Sequence, residues 1–221
     1  MTNDFIRWPA RALQKAGNEL LKWGSLKGIW IDVGAHHGEI TLGYAYHNPG
    51  LTIYAFEPNL RAASSLFGRA PNYVVIPMAV AEKDGAAEFH LNAFEMSGSL
   101  LPMDADAVRS WIGGEALKEE STVTVPTVRL DTFMDLTGIG RVDFLKVDAQ
   151  GLDLNVVRSA GSRLRDITKI TLEVSVAPKR VYFGEPSKDD VLEFLCSAGF
   201  HLVGTEKQSH NQEENLTFLR R

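Results

Sequence analysis

The sequence predicts an α/β fold built on a mostly parallel sheet. Three observations carry this. From Gly28 onward, short apolar runs rich in β-branched residues alternate with helical patterns. The first run ends in a glycine-containing turn, Gly34-Ala35-His36-His37-Gly38. Two runs near the end, Phe200 to Val203 and Leu216 to Leu219, read as an antiparallel pair. The 221 residues are 44% hydrophobic and 23% charged, which excludes intrinsic disorder. A chain of this length buries about 70% of its unfolded surface, and its one cysteine rules out a disulfide scaffold. The net charge of −5 argues against gripping nucleic acid through bulk positive charge, so no nucleic-acid partner is expected. No stretch approaches a membrane span, so no membrane partner is expected either.

Residues 1–27 place Leu13, Ala16, Leu20 and Trp23 at helical spacing and read as an amphipathic helix packed on the body. They hold no continuous apolar run of the kind a secretory leader needs, and a cytoplasmic protein is the expectation. Residues 28–221 are expected to form one domain. Ile29 to Val33 reads as a buried strand, Gly38 to His47 as a short helix and Leu51 to Phe56 as a second strand. Asn59 is placed to cap a helix that carries Leu60, Ala63, Leu66 and Phe67. Tyr73 to Ile76 is the third strand. Strands and helices at this spacing give right-handed βαβ units and a parallel sheet.

The alternation breaks between residues 86 and 128. Ala86 to Leu91 and Thr122 to Val128 read as strands flanking a mixed segment, Asn92 to Ser121, with a short helix near Asp104 to Trp111. This is read as a hairpin-like insertion that serves as a lid or substrate wall. Order resumes with the strand Val142 to Val147, then a helix carrying Leu154, Val157 and Ala160 that Gly161 stops. Ile167 to Val174 is the next strand, and Ser187 with Asp190 forms a capping box for a helix through Leu195 that Gly199 closes. Cys196 is assigned to that helix's core face, and Thr205 to Asn215 to an exposed loop.

In such a sheet, ligands bind beyond the carboxyl ends of the strands where the strand order reverses. Glu57 follows the second strand at the distance expected of an acid that accepts a ribose diol. The turn after the first strand is Gly-x-x-x-Gly and lacks the phosphate cradle of a dinucleotide site. S-adenosylmethionine has no phosphate, and backbone amides with Asp32 beside them suit its amino-acid end. A nicotinamide-dependent oxidoreductase remains the alternative enzyme, and a non-catalytic cofactor-binding module the alternative outside catalysis.

Asp32-Val33-Gly34-Ala35-His36-His37-Gly38 and Ala55-Phe56-Glu57-Pro58 resemble the cofactor motifs of class I S-adenosylmethionine-dependent methyltransferases. Met78-Ala79-Val80, Asp84-Gly85, Ser97-Gly98-Ser99-Leu100, Val128-Arg129-Leu130-Asp131 and Asp143 to Gly151 narrow the resemblance to the FkbM type. That family commonly has Asn where His36 stands and Glu where Gln150 stands. The resemblance implies a Rossmann-like three-layer sandwich with a seven-stranded sheet whose last strand is antiparallel. It implies that Gly34, Ala35, His37 and Gly38 line the methionine end of the cofactor, that Glu57 with Pro58 binds the ribose, and that Met78, Ala79 and Val80 flank the adenine. Ser97 and Ser99 approach the donor from the insertion, and Asp148 faces the sulfonium and the acceptor.

Transfer to an oxygen acceptor also calls for a base, and Asp148, Glu173, His36 and His37 are the candidates. Lys146 enters the catalytic set as the partner of Glu173 across neighbouring strand ends. No further Asp/His cluster accompanies the two histidines in sequence, and no metal is expected. The expected function is O-methylation of a small hydroxylated acceptor, a sugar or a natural-product scaffold.

Overall fold

The structure is a computed structural model, and it describes residues 25–221. The amphipathic helix expected over residues 1–27 lies almost wholly outside the described residues. The first strand, β1, is Lys27–Val33. It is followed by α1 (Leu42–His47), β2 (Gly50–Phe56), α2 (Leu60–Ser64) and β3 (Tyr73–Ile76). Then come β4 (Ala79–Val80), β5 (Gly85–Asn92), α3 (Ala105–Ser110), β6 (Glu119–Val128) and α4 (Leu130–Thr137). The remainder is β7 (Phe144–Val147), α5 (Asp153–Arg158), β8 (Lys169–Ser175), α6 (Lys188–Ser197), β9 (Phe200–Gln208) and β10 (Glu213–Arg220).

Seven strands form one sheet in the order β3-β2-β1-β7-β8-β10-β9. β1, β2, β3, β7 and β8 pair in parallel, and β10 is antiparallel to both of its neighbours. The order runs outward from β1 in one direction and from β7 in the other, so the point of reversal lies between these two strands. Both faces are covered. Strand side chains alternate in direction. Ile31, Val33 and Phe56 therefore join Leu130, Leu154 and Val191 on one face. Leu51, Ile53 and Ala55 join Leu42, Ala45 and Leu66 on the other. This is the three-layer α/β architecture that the alternating runs predict.

The stretch from Ala79 to Val128 builds a second sheet of three strands in the order β4-β6-β5, with β5 antiparallel and β4 parallel to β6. The expected hairpin is present, and it recruits Ala79 and Val80 from the segment after β3. The insertion is stitched to the main body. Ser99 Oγ donates to the Gln150 carbonyl at 2.7 Å, and Tyr182 Oη donates to the Ser97 carbonyl at 2.9 Å.

Several local expectations are corrected. Asn59 caps α2 as expected, but Leu60 and Phe67 are exposed while Ala62, Ala63 and Leu66 are buried; a helix of barely one turn cannot turn both ends of the apolar stripe inward. The helix expected from Gly38 begins at Leu42, because Thr41 is held against Asp32 beneath the sheet edge. α5 ends at Arg158, before Ala160, and Gly161 opens a 3-10 stretch to Asp166 instead of stopping the helix. Thr205 to Asn215 is mostly strand: Thr205 to Gln208 pair with Glu213 to Leu216, and the turn is confined to residues 209–212. Polar residues on both strands hid this pairing. Cys196 is exposed, because the core stripe of α6 is carried by Val191 and Leu195.

Candidate active site

At the reversal point, the parallel register sets Asp32 on β1 beside Lys146 on β7. Lys146 Nζ lies 3.1 Å from Asp32 Oδ1 and donates to the carbonyl of Gly34 at 2.6 Å. Thr41 Oγ1 donates to the other Asp32 oxygen. Burial alone would lower the Lys146 ammonium, but Asp32 and Asp148 outweigh it and push Lys146 up to about 12. Lys146 therefore stays charged. It fixes the glycine turn through the Gly34 carbonyl and is itself part of the cavity's lining.

The turn closes over this pair because Gly34, at φ +72°, brings its α-carbon against the carbonyl of Asp148; a Cβ there would sit 1.9 Å from that oxygen. All five N–H groups from Gly34 to Gly38 are bonded within the protein. Gly34 and Ala35 donate to Phe56 O, His36 to Glu57 Oε2 at 2.8 Å, His37 to Glu39 Oε2 and Gly38 to Ala35 O. The turn therefore does not offer the free amides that its sequence suggests.

Above the turn lies a cavity of about 350 Å³, within the range of small-ligand sites. Of the predicted cofactor residues, Gly34, Ala35, Glu57, Pro58, Met78, Ala79, Val80 and Asp148 line it. Asp32 is buried behind it, and His37, Gly38, Ser97 and Ser99 are not part of its wall. The two serines act one layer back, where they hold the insertion. Glu57 is 6% exposed; each of its oxygens accepts one backbone N–H, from His36 and from Asn59, both at 2.8 Å, which leaves lone pairs for a ligand diol. Burial raises its carboxyl, and those two N–H groups oppose the rise.

Sequence reasoning gave no site role to Glu39, Phe89, Glu95, Met96, Leu100 or Gln150, which also line the cavity, although Leu100 and Gln150 stood in its motifs. Most come from the insertion, where no spacing rule applies. Glu39 directly follows the turn motif, and its acidity was the one available signal.

The chemistry of the wall tests the cofactor. Glu39, Glu57, Glu95 and Asp148 face the cavity, with Lys146 and His36 as the basic groups among its lining residues. A pyrophosphate would meet these carboxylates with no helix amides to hold it. A ligand with a sulfonium, an ammonium and a ribose diol finds acceptors, and Met78, Val80, Phe89 and Leu100 supply an apolar slot for its base.

A smaller recess of about 50 Å³ adjoins this cavity; Met96, Asp148 and Gln150 line both. Its far wall carries Trp111, Tyr182, Glu173 and Glu213. Gln150 Nε2 donates to Asp148 Oδ1 at 2.7 Å, and the one Tyr182 hydroxyl proton is shared between Gln150 Oε1 at 2.7 Å and the Ser97 carbonyl at 2.9 Å. A glutamate at position 150 could give Asp148 such a proton only in its protonated form, so the departure to Gln fits this arrangement. Burial, then Glu213 and Asp148, push Glu173 well above the carboxylate range, and burial pushes Glu213 up to about 7. Glu173 lies in the recess and is not part of the donor cavity's wall. Its expected pairing with Lys146 gives way to Asp32, which stands beside the lysine in register.

Comparison with known proteins agrees with this geometry. Residues 32–202 match the family described as the methyltransferase FkbM domain. A 2-O-methyltransferase, NoeI of Sinorhizobium fredii (strain NBRC 101917 / NGR234), is 23% identical over 186 residues, covering 79% of this chain and 73% of that protein. Among solved structures, the magnesium protoporphyrin IX methyltransferase ChlM of Synechocystis PCC 6803 with bound SAM superposes with a TM-score of 0.51. It is 11% identical, and the match covers 96% of this chain and 79% of that one. The fibrillarin/Nop5p complex gives a TM-score of 0.52 at 12% identity, over 97% and 83% of the two chains. These two likenesses concern the fold. The family match spans more than half of the chain, and with the cavity it leads to one conclusion: this chain belongs to the FkbM methyltransferase family, whose methyl donor is S-adenosylmethionine.

Proposed function

We propose that this methyltransferase transfers the methyl group to an oxygen of a small hydroxylated acceptor, a sugar or a natural-product scaffold. The observation that carries the reading is the position of Asp148 in the wall shared by the donor cavity and the acid-lined recess. The recess admits the reacting hydroxyl and its carbon, with the rest of the acceptor outside. Support for oxygen as acceptor atom comes from the similarity to a 2-O-methyltransferase.

When bound, S-adenosylmethionine supplies an electrophilic methyl group on a sulfonium. The chain's own residues do the rest. Glu57 accepts the ribose hydroxyls. Lys146 and the Phe56 carbonyl fix the glycine turn from its two sides. The insertion walls the cavity from water. Gln150 holds Asp148 Oδ1 by donating to it, and Oδ2, 3.8 Å from the Lys146 ammonium, is the oxygen that takes the acceptor's proton. Alignment of the hydroxyl by Tyr182, Trp111 and the recess acids contributes the remainder of the rate.

Calorimetric titration with S-adenosylmethionine, S-adenosylhomocysteine and NAD tests the donor: the first two bind and NAD does not. Incubation with labelled donor and a panel of sugars, phenols and amines then tests the acceptor. Methylation of hydroxylated compounds is expected, and label transferred only to nitrogen would overturn the oxygen assignment.

A further inference from the structure

At the mouth of the donor cavity, the two consecutive histidines of the turn meet a glutamate from the insertion. His37 Nε2 lies 3.2 Å from Glu95 Oε2, and His36 Nε2 lies 3.4 Å from the same oxygen. The three donor groups all fall within 4.8 Å of one another. His36 adopts φ +47°, a left-handed conformation uncommon outside glycine, and this turns two successive side chains to the same side, with ring centroids 4.1 Å apart.

Hydrogen bonds behind the rings occupy both Nδ1 atoms. Ser65 Oγ donates its proton to the Ala62 carbonyl at 2.7 Å, so its 2.7 Å contact with His37 Nδ1 is one it accepts. His36 Nδ1 lies 2.8 Å from Glu39 Oε1, and an ionised carboxylate only accepts. Both Nδ1 atoms are thus engaged behind the rings, and both Nε2 atoms turn towards Glu95, that of His37 in a 3.2 Å hydrogen bond with Oε2. His36 Nε2 has no hydrogen bond and is buried. Two imidazole nitrogens and a carboxylate oxygen thus converge on one point, while the other Glu95 oxygen faces Asn59 and Arg61. Imidazoles whose second nitrogen donates to a carboxylate or hydroxyl have the arrangement of metal-ligating histidines. The N···O separations of 3.2 and 3.4 Å match the roughly 3.3 Å between two ligands of one tetrahedral ion with bonds near 2.0–2.1 Å.

We propose that His36, His37 and Glu95 form a binding site for a divalent transition-metal ion of the zinc class, which fastens the insertion to the glycine turn. Two imidazoles and one carboxylate select such an ion over magnesium or calcium, which favour all-oxygen shells. Three protein ligands leave a fourth position open. The segment that the ion anchors, Glu95–Ser97, also carries the carbonyl that Tyr182 grips, so metal binding stiffens the wall between donor cavity and recess. The site stands on these residues alone and does not depend on the acceptor assignment.

The test uses the full chain, stripped with chelator and titrated with Co²⁺. Visible d–d absorption reports four-coordinate binding, and Zn²⁺ serves as competitor. One ion per chain is expected. Glu95→Gln and His37→Ala should each weaken Co²⁺ binding by about tenfold or more, and Ser65→Ala, which frees only the second nitrogen of His37, by about tenfold. Circular dichroism and thermal melts of the same samples show that each variant is folded, and S-adenosylhomocysteine titration of the wild type separates failure of this site from failure of the donor assignment. Absence of a Co²⁺ band at several-fold excess of metal, or equal affinity in the wild type and Glu95→Gln, would overturn the proposal.

Discussion

The donor cavity and the recess beside it share Asp148 and Gln150, yet they are built in opposite ways. The floor of the donor cavity is made from consecutive residues. One turn follows β1, one acid follows β2, and every N–H of the turn is already committed inside the protein. The recess is assembled from Trp111, Tyr182, Glu173 and Glu213, which lie far apart in sequence, and its acids sit at raised pKa. The donor cavity's floor thus rests on local structure and the recess on long-range contacts, with Asp148 in the wall of both.

Four substitutions break or sharpen that contrast. The largest effect is expected at the shared wall. Asp148→Asn should lower kcat by about 10²–10⁴-fold at nearly unchanged donor affinity, as loss of a proton acceptor does. Steady-state kinetics on a verified acceptor decides this: wild-type kcat would return Asp148 to a passive wall. Beneath the donor floor, Lys146→Met leaves the Asp32 carboxylate buried beside Thr41 alone. It should cost about 3–5 kcal/mol of stability, read as a lowered urea midpoint. Kinetic loss with an unmoved midpoint would make Lys146 a residue of the chemistry and not of the scaffold.

Within the donor cavity, Glu57→Ala should weaken S-adenosylmethionine binding by about 1.5–3 kcal/mol and leave the N–H groups of His36 and Asn59 without acceptors. Unchanged affinity in calorimetry removes the ribose role.

The smallest effect belongs to the acids near the recess. Glu185 is buried, and burial raises it from 4.5 to about 7; Glu213 is raised likewise. A carboxyl whose folded pKa exceeds its unfolded value favours the folded state in its protonated form. That contribution is complete below about pH 4.5 and is lost as pH rises through 7. Glu185→Gln keeps an acceptor for the Ser175 N–H, so it should raise stability by about 1–2 kcal/mol above pH 7 and flatten the fall between pH 5 and 7. Thermal melts across that range check it; an unchanged slope assigns the titration elsewhere.

Parts of this architecture were legible in the chain because they are local. The strand at Tyr73–Ile76, the Asn59 cap and the Ser187–Asp190 capping box depend on neighbours within a few residues, and each formed as read. The misread segments depend on partners elsewhere. Thr205 to Gln208 looks like a loop until β10 pairs with it. Cys196 looks like core until Val191 and Leu195 take the buried stripe. Ser97 and Ser99 look like donor contacts until Asn92, Gln150 and Tyr182 occupy them.

By itself, the sequence determined the parallel sheet, the glycine turn, the acid after β2 and the aspartate that ends β7. Strand ends of an α/β sheet all emerge on one edge, so sequence order alone carries these residues to one place. The tertiary structure decided which of them reach the ligand. Register paired Asp32 with Lys146 and withdrew both carboxylate oxygens from the cavity. Folding of the insertion brought Glu95 against His36 and His37, and Tyr182 against Gln150. Those contacts join residues tens of positions apart, and a pairing at that separation leaves no periodicity in the chain for a reader to find.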